Sequence, residues 1–427
     1  MVAGVFILLL LVLLFIGMPI GFVLLAVGAL GLIYQSGLDT ALGILSATAF
    51  SSVNSFTFST IPLFILMAHF ISKSNIAAEL FESIIKWVGH KPGGPGMATV
   101  LAAAGFGTLS GSSVAGTAVM SQIAVPQMVK AKYSPSLASG LVASSTGTLA
   151  ALIPPSIPLI LYGIQTENSI GKLLIAGVVP GIIVAFLYCM YIVFVGIRDN
   201  TKGERYSWGE RFRSLKNIWP VVLLVVIIVT VIYMGIGTAT EAAAFGAFGA
   251  LLIGIFMKRL NFKTVVDALV ETTKQTAMIF TIIIGAHVFA YFIAVTRIGN
   301  QLITAIEQSG LSAWGVLILV ILLYLAIGMF VDLVGAMLLT LPLIYPLMMG
   351  FGFDPIWFGI IVVLLLEIGL VTPPVGLNLF IASNSSGVPI KKVFFGTLPF
   401  IGILLFTILL FVLFPQLVLF LPNGAGS

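Results

Sequence analysis

Four short stretches rich in glycine, proline and small polar residues interrupt long apolar segments of this 427-residue chain. They are Ser110–Thr117, Gly147–Pro158, Gly328–Gly335 and Gly369–Asn378. A helix that breaks leaves backbone carbonyls at the end of its first part and amide groups at the start of its second part. Carbonyls suit a cation such as sodium, and amides suit a carboxylate. The pattern therefore predicts two cation sites that flank one anion site.

Each predicted cation site combines a broken helix with the middle of another interrupted apolar segment. The proposed ligands are Ser110, Gly147 and Ala150 at the first site, and Gly328, Gly369, Thr372 and Val375 at the second. Such carbonyl ligands do not depend on side-chain identity. The alternative is that these glycines and prolines serve close helix packing and kinks, as they commonly do in membrane helices.

Several side chains are candidates for holding a polar organic anion: Arg297 at the end of a predicted span, where other positive charges are nearly absent, and further residues beside the same breaks. Arg297 can bind a carboxylate with two parallel hydrogen bonds, although an arginine at a membrane boundary also extends to water. Asp332 can bind a cation or proton or cap the helix that follows it. The neutral candidates are Ser112, Ser113, Ser156 and Asn378, and each serine can instead bond to its own turn. Glu241 fits a helix cap, and Glu367 is a further charge beside a break.

The composition places these residues in an integral membrane protein. Hydrophobic residues make up 60% of the chain and charged residues 8%, whereas a soluble domain carries roughly 25% charge. The net charge of +5 comes from loops, which indicates membrane topology and not nucleic-acid binding. A single cysteine, Cys189, excludes an intrachain disulfide and a multi-cysteine metal site.

The chain also repeats itself at a spacing of 219 residues. Pro154-Pro155 corresponds to Pro373-Pro374, and Gly140 corresponds to Gly359. Each copy holds about five apolar segments of spanning length plus one interrupted segment, 96–130 or 313–349, that we interpret as a re-entrant hairpin. The predicted fold is thus all-α, with two repeats of opposite orientation. Such repeats with matching broken helices are typical of secondary transporters.

Positively charged residues provide a test of the opposite orientation. Six of the 19 lysines and arginines fall between Arg198 and Lys216, which predicts a cytoplasmic loop. Counting spans outward from this loop places all the others except Lys172 and Arg297 on the same side. Both termini are then predicted to be periplasmic. Asn75–Lys91 and Asn261–Lys274 have amphipathic patterns typical of surface helices, or are ordinary loops.

The broken stretches together resemble those of a known family. Leu109-Ser110-Gly111-Ser112-Ser113-Val114-Ala115-Gly116-Thr117, Ile153-Pro154-Pro155-Ser156 and Thr372-Pro373-Pro374-Val375-Gly376-Leu377-Asn378 resemble the large membrane subunit of tripartite ATP-independent periplasmic (TRAP) transporters. The resemblance covers essentially the whole chain. It implies uptake of a small carboxylate across the bacterial inner membrane, driven by two or more sodium ions, through an elevator-type movement. General likeness favours a sialic acid over a C4-dicarboxylate.

The resemblance also implies two protein partners, a periplasmic substrate-binding protein and a small four-helix membrane subunit on a separate chain. It further suggests a division into moving and static parts. Hairpins and broken helices at 96–166 and 313–386 form the predicted transport domain. Residues 1–95 and 167–274 are predicted to form scaffold and arm, and the second of these ranges includes the cytoplasmic loop 198–216. Residues 275–312 are predicted to form a span and a connector, and residues 387–427 further scaffold.

Other functional classes fit the sequence less well. An intramembrane serine protease needs a serine with a histidine partner, and His69 and His287 have no evident route to Ser110. A channel usually needs a continuous pore with rings from identical subunits. A proton-coupled exchanger, or one that works without a binding protein, is the strongest alternative.

Overall fold

The computed structural model describes residues 2–298, 301, 304, 306, 308 and 310–424, and no strand occurs among them. The helices of the first half are Val2–Phe15, Ile20–Ser36, Leu38–Ser51, Thr60–Lys73, Ile76–Val88, Gly94–Ser110, Ser113–Lys130, Pro135–Leu152, Ile157–Gln165 and Ile170–Arg198, with a 3-10 turn at Phe56–Ser59. Those of the second half are Trp208–Tyr233, Ala239–Phe256, Phe262–Thr296, Ala313–Gly328, Leu333–Gly350, Pro355–Leu370, Leu377–Ser386, Ile390–Leu413 and Gln416–Gly424. The all-α prediction is confirmed.

Seven described helices are long and apolar enough to cross a membrane, or eight if one bent pair counts as a single span. Several of the ten predicted spans are shorter as helices than a bilayer requires, such as Val2–Phe15 and Pro355–Leu370. Large apolar side chains on the outside, including Phe186 and Phe194, are more than half exposed. Such a surface fits lipid and not water.

Four pairs of helices carry the predicted interruptions. The first hairpin consists of Gly94–Ser110 and Ser113–Lys130, and the second consists of Ala313–Gly328 and Leu333–Gly350. The first broken helix consists of Pro135–Leu152 and Ile157–Gln165, which bend by 45°, and the second consists of Pro355–Leu370 and Leu377–Ser386. Proline lacks an N–H and clashes with the preceding turn, which ends both helices before their double prolines. The peptide bonds Pro154-Pro155 and Pro373-Pro374 are cis.

The elements of the two halves follow one another at a nearly constant spacing. From the first hairpin onward, helices begin at residues 94, 113, 135, 157 and 170 in the first half and at 313, 333, 355, 377 and 390 in the second. The two sets therefore differ by 219 or 220 residues. The orientation of the halves relative to a membrane stays a prediction.

The helices pack into two groups. The hairpins and broken helices pack with one another and with Ile170–Arg198 and Ile390–Leu413, whereas Ile20–Ser36, Thr60–Lys73, Ala239–Phe256 and Phe262–Thr296 pack together. Glycine permits the closest approaches: a Cβ at Gly140 would collide with the backbone of Gly396. The assignment of 167–274 and 387–427 to a static scaffold stays a prediction, although their long helices Ile170–Arg198 and Ile390–Leu413 pack on the broken helices.

Two local predictions differ from the structure. Leu38–Ser51 forms a helix that the sequence analysis does not predict. The predicted surface helix Asn261–Lys274 and the span after it form one helix, Phe262–Thr296, because no glycine or proline separates them. In the first half, Asn75 adopts a left-handed conformation (φ 56°) and separates Thr60–Lys73 from Ile76–Val88.

Candidate functional site

The tip of the first hairpin lies against the first double-proline break. Gly111 at the tip has a φ of 54°, and a Cβ there would lie 3.1 Å from the carbonyl oxygen of Pro155. Ser112 accepts a hydrogen bond from the Ala115 amide at 3.3 Å and so caps the second leg of the hairpin. Ser110 and Gly147 are both buried in this region. The structure therefore places the first hairpin against the first broken helix.

A buried hydrogen-bond network connects this hairpin tip to the second broken helix. The Ser113 hydroxyl donates to Glu367 Oε2 at 3.1 Å and accepts from Asn378 Nδ2 at 2.8 Å. Gly147 of the first broken helix lies at the same place: a Cβ there would lie 2.5–2.6 Å from the Ser113 hydroxyl, the Asn378 amide nitrogen and Glu367 Oε2. We call this meeting point of Ser113, Gly147, Glu367 and Asn378 the crossing. Three of the four interrupted elements thus meet at one point, and only glycine fits at position 147.

Hydroxyl groups without partners lie on the hairpin and the broken helix that form this crossing. Ser110, Thr117, Ser144, Ser145 and Thr146 have buried hydroxyls for which the described residues provide no hydrogen-bond partner. At the first break, Pro154 has no N–H to donate to the Ala150 carbonyl. Since buried polar groups are normally paired, such a cluster is suited to oxygen ligation of a cation.

The second hairpin tip is attached to the second break by backbone contacts. The amides of Val375 and Gly376 donate to the Met329 carbonyl at 3.2 and 3.4 Å. Gly328 lies so close to Gly369 that a Cβ on Gly328 would be 3.1 Å from the Gly369 Cα atom. The Thr372 hydroxyl donates to Ile368 in its own turn at 2.6 Å. The structure therefore brings the four ligands predicted for the second cation site to one place.

Three predicted substrate residues have structural contacts of their own. Asp332 accepts from the Gly335 amide at 3.2 Å and caps Leu333–Gly350. Ser156 is buried, donates to the Ala151 carbonyl and accepts from the Leu159 amide at 3.3 Å, so it caps Ile157–Gln165. Arg297 is exposed at the end of Phe262–Thr296, and no described hydrogen bond or ion pair joins it to the other candidates. Glu241 caps Ala239–Phe256 as expected.

The sequence analysis did not include Glu367 in the site, although it named the residue as a charge beside a break. Glu367 is 1% exposed. A single carboxyl group within the otherwise apolar helix Pro355–Leu370 was the available signal. His69 lies next to Gln275 and Glu271, and His287 lies 2.8 Å from the Ser52 hydroxyl, so neither histidine pairs with Ser110.

Comparisons with known proteins agree on one family. The family described as "Tripartite ATP-independent periplasmic transporter, DctM component" matches residues 7–417. The C4-dicarboxylate TRAP transporter large permease protein DctM of Pseudomonas aeruginosa is 36% identical over 384 residues, which cover 90% of each chain. The sialic acid TRAP transporter large permease protein SiaM of Vibrio cholerae is 32% identical over 416 residues, which cover 96% of each chain.

Solved structures show the same kind of fold at low sequence identity. The YdaH transporter of Alcanivorax borkumensis is similar with a TM-score of 0.65 and 14% identity, covering 95% of this chain and 97% of that one. MtrF of Neisseria gonorrhoeae gives a TM-score of 0.55 and 15% identity, covering 91% and 85%. These similarities concern the fold alone.

Proposed function

Because the chain belongs to the TRAP transporter family as a large permease, we propose that it performs sodium-coupled uptake of a small organic acid at its broken helices. The observation that carries this proposal is the crossing at Gly147. There, a hairpin tip and both broken helices meet around buried oxygen atoms that the described residues leave unpaired. Oxygen-lined breaks in membrane helices suit sodium binding.

The two proposed cation sites are those described above. Ser110, Gly147 and Ala150 contribute to the first, and the carbonyl groups around Gly328, Gly369, Thr372 and Val375 contribute to the second. Sodium bound at these positions neutralises the partial negative charge of the helix ends and prepares the space between the hairpin tips for an anion. One net positive charge moving through 100 mV contributes about 2.3 kcal/mol to accumulation.

The substrate is proposed to bind between the tips through its carboxylate. Arg297 supplies the positive charge, and Ser112, Ser113, Ser156 and Asn378 supply neutral hydrogen bonds. Asp332 supplies a further polar contact. Ser113 and Asn378 bind each other in this structure, so a substrate would have to replace that hydrogen bond. Relatives are named for C4-dicarboxylate, sialic acid and 2,3-diketo-L-gulonate, which share a carboxylate group.

Three components are proposed to act together in the bacterial inner membrane. A periplasmic binding protein delivers the acid, and a small membrane subunit supports the scaffold while the transport domain moves as an elevator. The isethionate TRAP permease DctMQ of Oleidesulfovibrio alaskensis matches 95% of this chain over 64% of its own length.

Uptake by proteoliposomes tests the proposal most directly. The permease and its small subunit are reconstituted, and uptake of radioactive sialic acid or succinate is measured with and without an inward sodium gradient and the binding protein. We expect uptake only when the sodium gradient and the binding protein are both present. Uptake driven by a proton gradient in sodium-free buffer, or uptake without the binding protein, would favour the exchanger instead.

A further inference from the structure

Glu367 is a buried carboxyl group that the proposed sodium sites do not use. It is 1% exposed and lies in the last turn of Pro355–Leu370, three residues before the end of that helix. Its Oε2 atom accepts the hydrogen bond from Ser113, whereas Oε1 has no hydrogen-bond partner among the described residues. The amide oxygen of Asn378, which is fully buried in the same network, is likewise left without a partner in the described chain.

No basic side chain of the described residues forms an ion pair with this carboxyl group. The titratable side chains within the helices packed against Pro355–Leu370 are uncharged groups: Tyr162, Tyr188, Tyr191, Tyr324, Tyr345 and Cys189. The charged side chains of these elements lie at helix ends: Lys172, Arg198, Asp332, Asp354, Lys391 and Lys392. Because a buried carboxylate without a counter-charge is costly, Glu367 requires a positive charge at this position.

We infer that Glu367, Ser113 and Asn378 form a further cation site, which takes up one monovalent positive charge, either Na⁺ or H⁺. If the ion is Na⁺, the unpaired Glu367 Oε1 and Asn378 Oδ1 atoms supply oxygen ligands. If it is H⁺, Glu367 Oε1 carries the proton and Asn378 Oδ1 is an acceptor for its hydrogen bond. The site joins the tip of the first hairpin to the second broken helix, so its occupancy links the two halves. This inference rests on the proposed function, because the bound cation is expected to cross the membrane together with the substrate.

The substitution Glu367→Gln tests this site, because glutamine keeps the shape and removes the charge. In proteoliposomes with all three components, we expect the ratio of charges to substrate molecules to fall by one. At 100 mV, the accumulation ratio then falls about 50-fold. Glu241→Gln is the matched control: glutamine also serves in a capping box, so the charge ratio stays that of the wild type.

Separate measurements identify which ion binds. Infrared difference spectra of the purified permease in nanodiscs are recorded while pH or the sodium concentration is changed. A carboxyl band that responds to pH and is absent from Glu367→Gln identifies H⁺, whereas a sodium-dependent shift of the carboxylate band identifies Na⁺. Because these spectra need no transport, they separate this inference from the proposed function, which fails if the wild type takes up no acid.

Two results would overturn the inference. One is an active, monodisperse Glu367→Gln transporter with an unchanged charge-to-substrate ratio. The other is a set of carboxyl bands whose responses to pH and to sodium are the same in the wild type and in Glu367→Gln. Should Glu367→Gln not fold, Ser113→Ala keeps the carboxyl group and removes its hydrogen-bond donor. We expect the half-saturating concentration of the coupled ion to change about tenfold: upward if the ion is Na⁺, which loses a polar group of its site, and downward if it is H⁺, because the carboxylate loses its hydrogen-bond donor. An unchanged value in the folded variant also refutes the site.

Discussion

The two double-proline breaks follow the same plan but lie in different environments. At the first break, Pro154, Pro155 and Ser156 are buried, and so are Ser110 and Gly111 at the facing hairpin tip. At the second break, Pro373 and Pro374 are exposed, Val375 is 40% exposed, and Phe330 at the facing tip is 48% exposed. One break is therefore closed and the other open, although their helices are spaced alike along the chain.

The two breaks also differ in the contacts that surround them. In the closed region, the polar atoms face one another and several hydroxyls lack partners among the described residues. In the open region, backbone bonds from Val375 and Gly376 to Met329 hold the break and the tip together. A carrier with alternating access would exchange the two environments. The following substitutions test first the proposed anion-binding charge, then the closed region and then the two hairpin tips.

Arg297→Glu should have the largest effect, because it replaces the proposed carboxylate-binding charge with a repelling one. We expect uptake to fall about 1,000-fold while assembly with the small subunit is retained. Initial uptake rates and co-purification of the subunits measure the two effects. Lys172→Glu, the other positive charge predicted to be periplasmic, is the control, and unchanged uptake by Arg297→Glu would remove Arg297 from the site.

Gly147→Ala tests the closed region. The added methyl group would lie 2.5–2.6 Å from Ser113, Glu367 and Asn378 and separate the elements that meet there. We expect uptake to fall about 100-fold. Gly402→Ala, where no atom lies within 4 Å of the added methyl group, should remain active. Equal rates for the two variants would show that the crossing is not needed for transport.

Asp332 and Ser112 allow a comparison of the two tips, since each caps the helix that follows. If capping is the main role of Asp332, Asp332→Asn should stay within about twofold of wild-type uptake, because asparagine is an equally good cap. Asp332→Ala and Ser112→Ala should each lose about fivefold. Uptake assays with all three variants decide this, and a loss in Asp332→Asn as large as in Asp332→Ala would indicate that its charge binds an ion or substrate.

The breaks could be predicted from the sequence because their causes are local. Pro154-Pro155 and Pro373-Pro374 end a helix wherever they occur, and Gly111 supplies the left-handed turn of the first tip. Matching prolines and glycines at one spacing then located the second copy. The caps made by Asp332 and Glu241 were available for the same reason, since each needs only a partner three positions away: Gly335 after Asp332, and Thr238 before Glu241.

The remaining features depend on contacts between distant positions. Ser113 binds Glu367 and Asn378 across 254 and 265 residues, and no local pattern indicates which polar residues will meet. Leu38–Ser51 was missed because it is short and mixes serine, threonine and glycine with apolar residues. The continuous helix Phe262–Thr296 was divided because its charged first part looked like a surface segment, although the backbone provides no break.

Labelling of single cysteines in cells tests the opposite orientation of the two halves most directly. In a Cys189→Ala background, cysteine replaces the exposed Lys130, Lys172 or Lys391, and a membrane-impermeant maleimide is applied from one side. Positions 130 and 391 should react only from the cytoplasm, and position 172, the counterpart of 391 in the first half, only from the periplasm. Reaction of positions 172 and 391 from the same side would contradict the account.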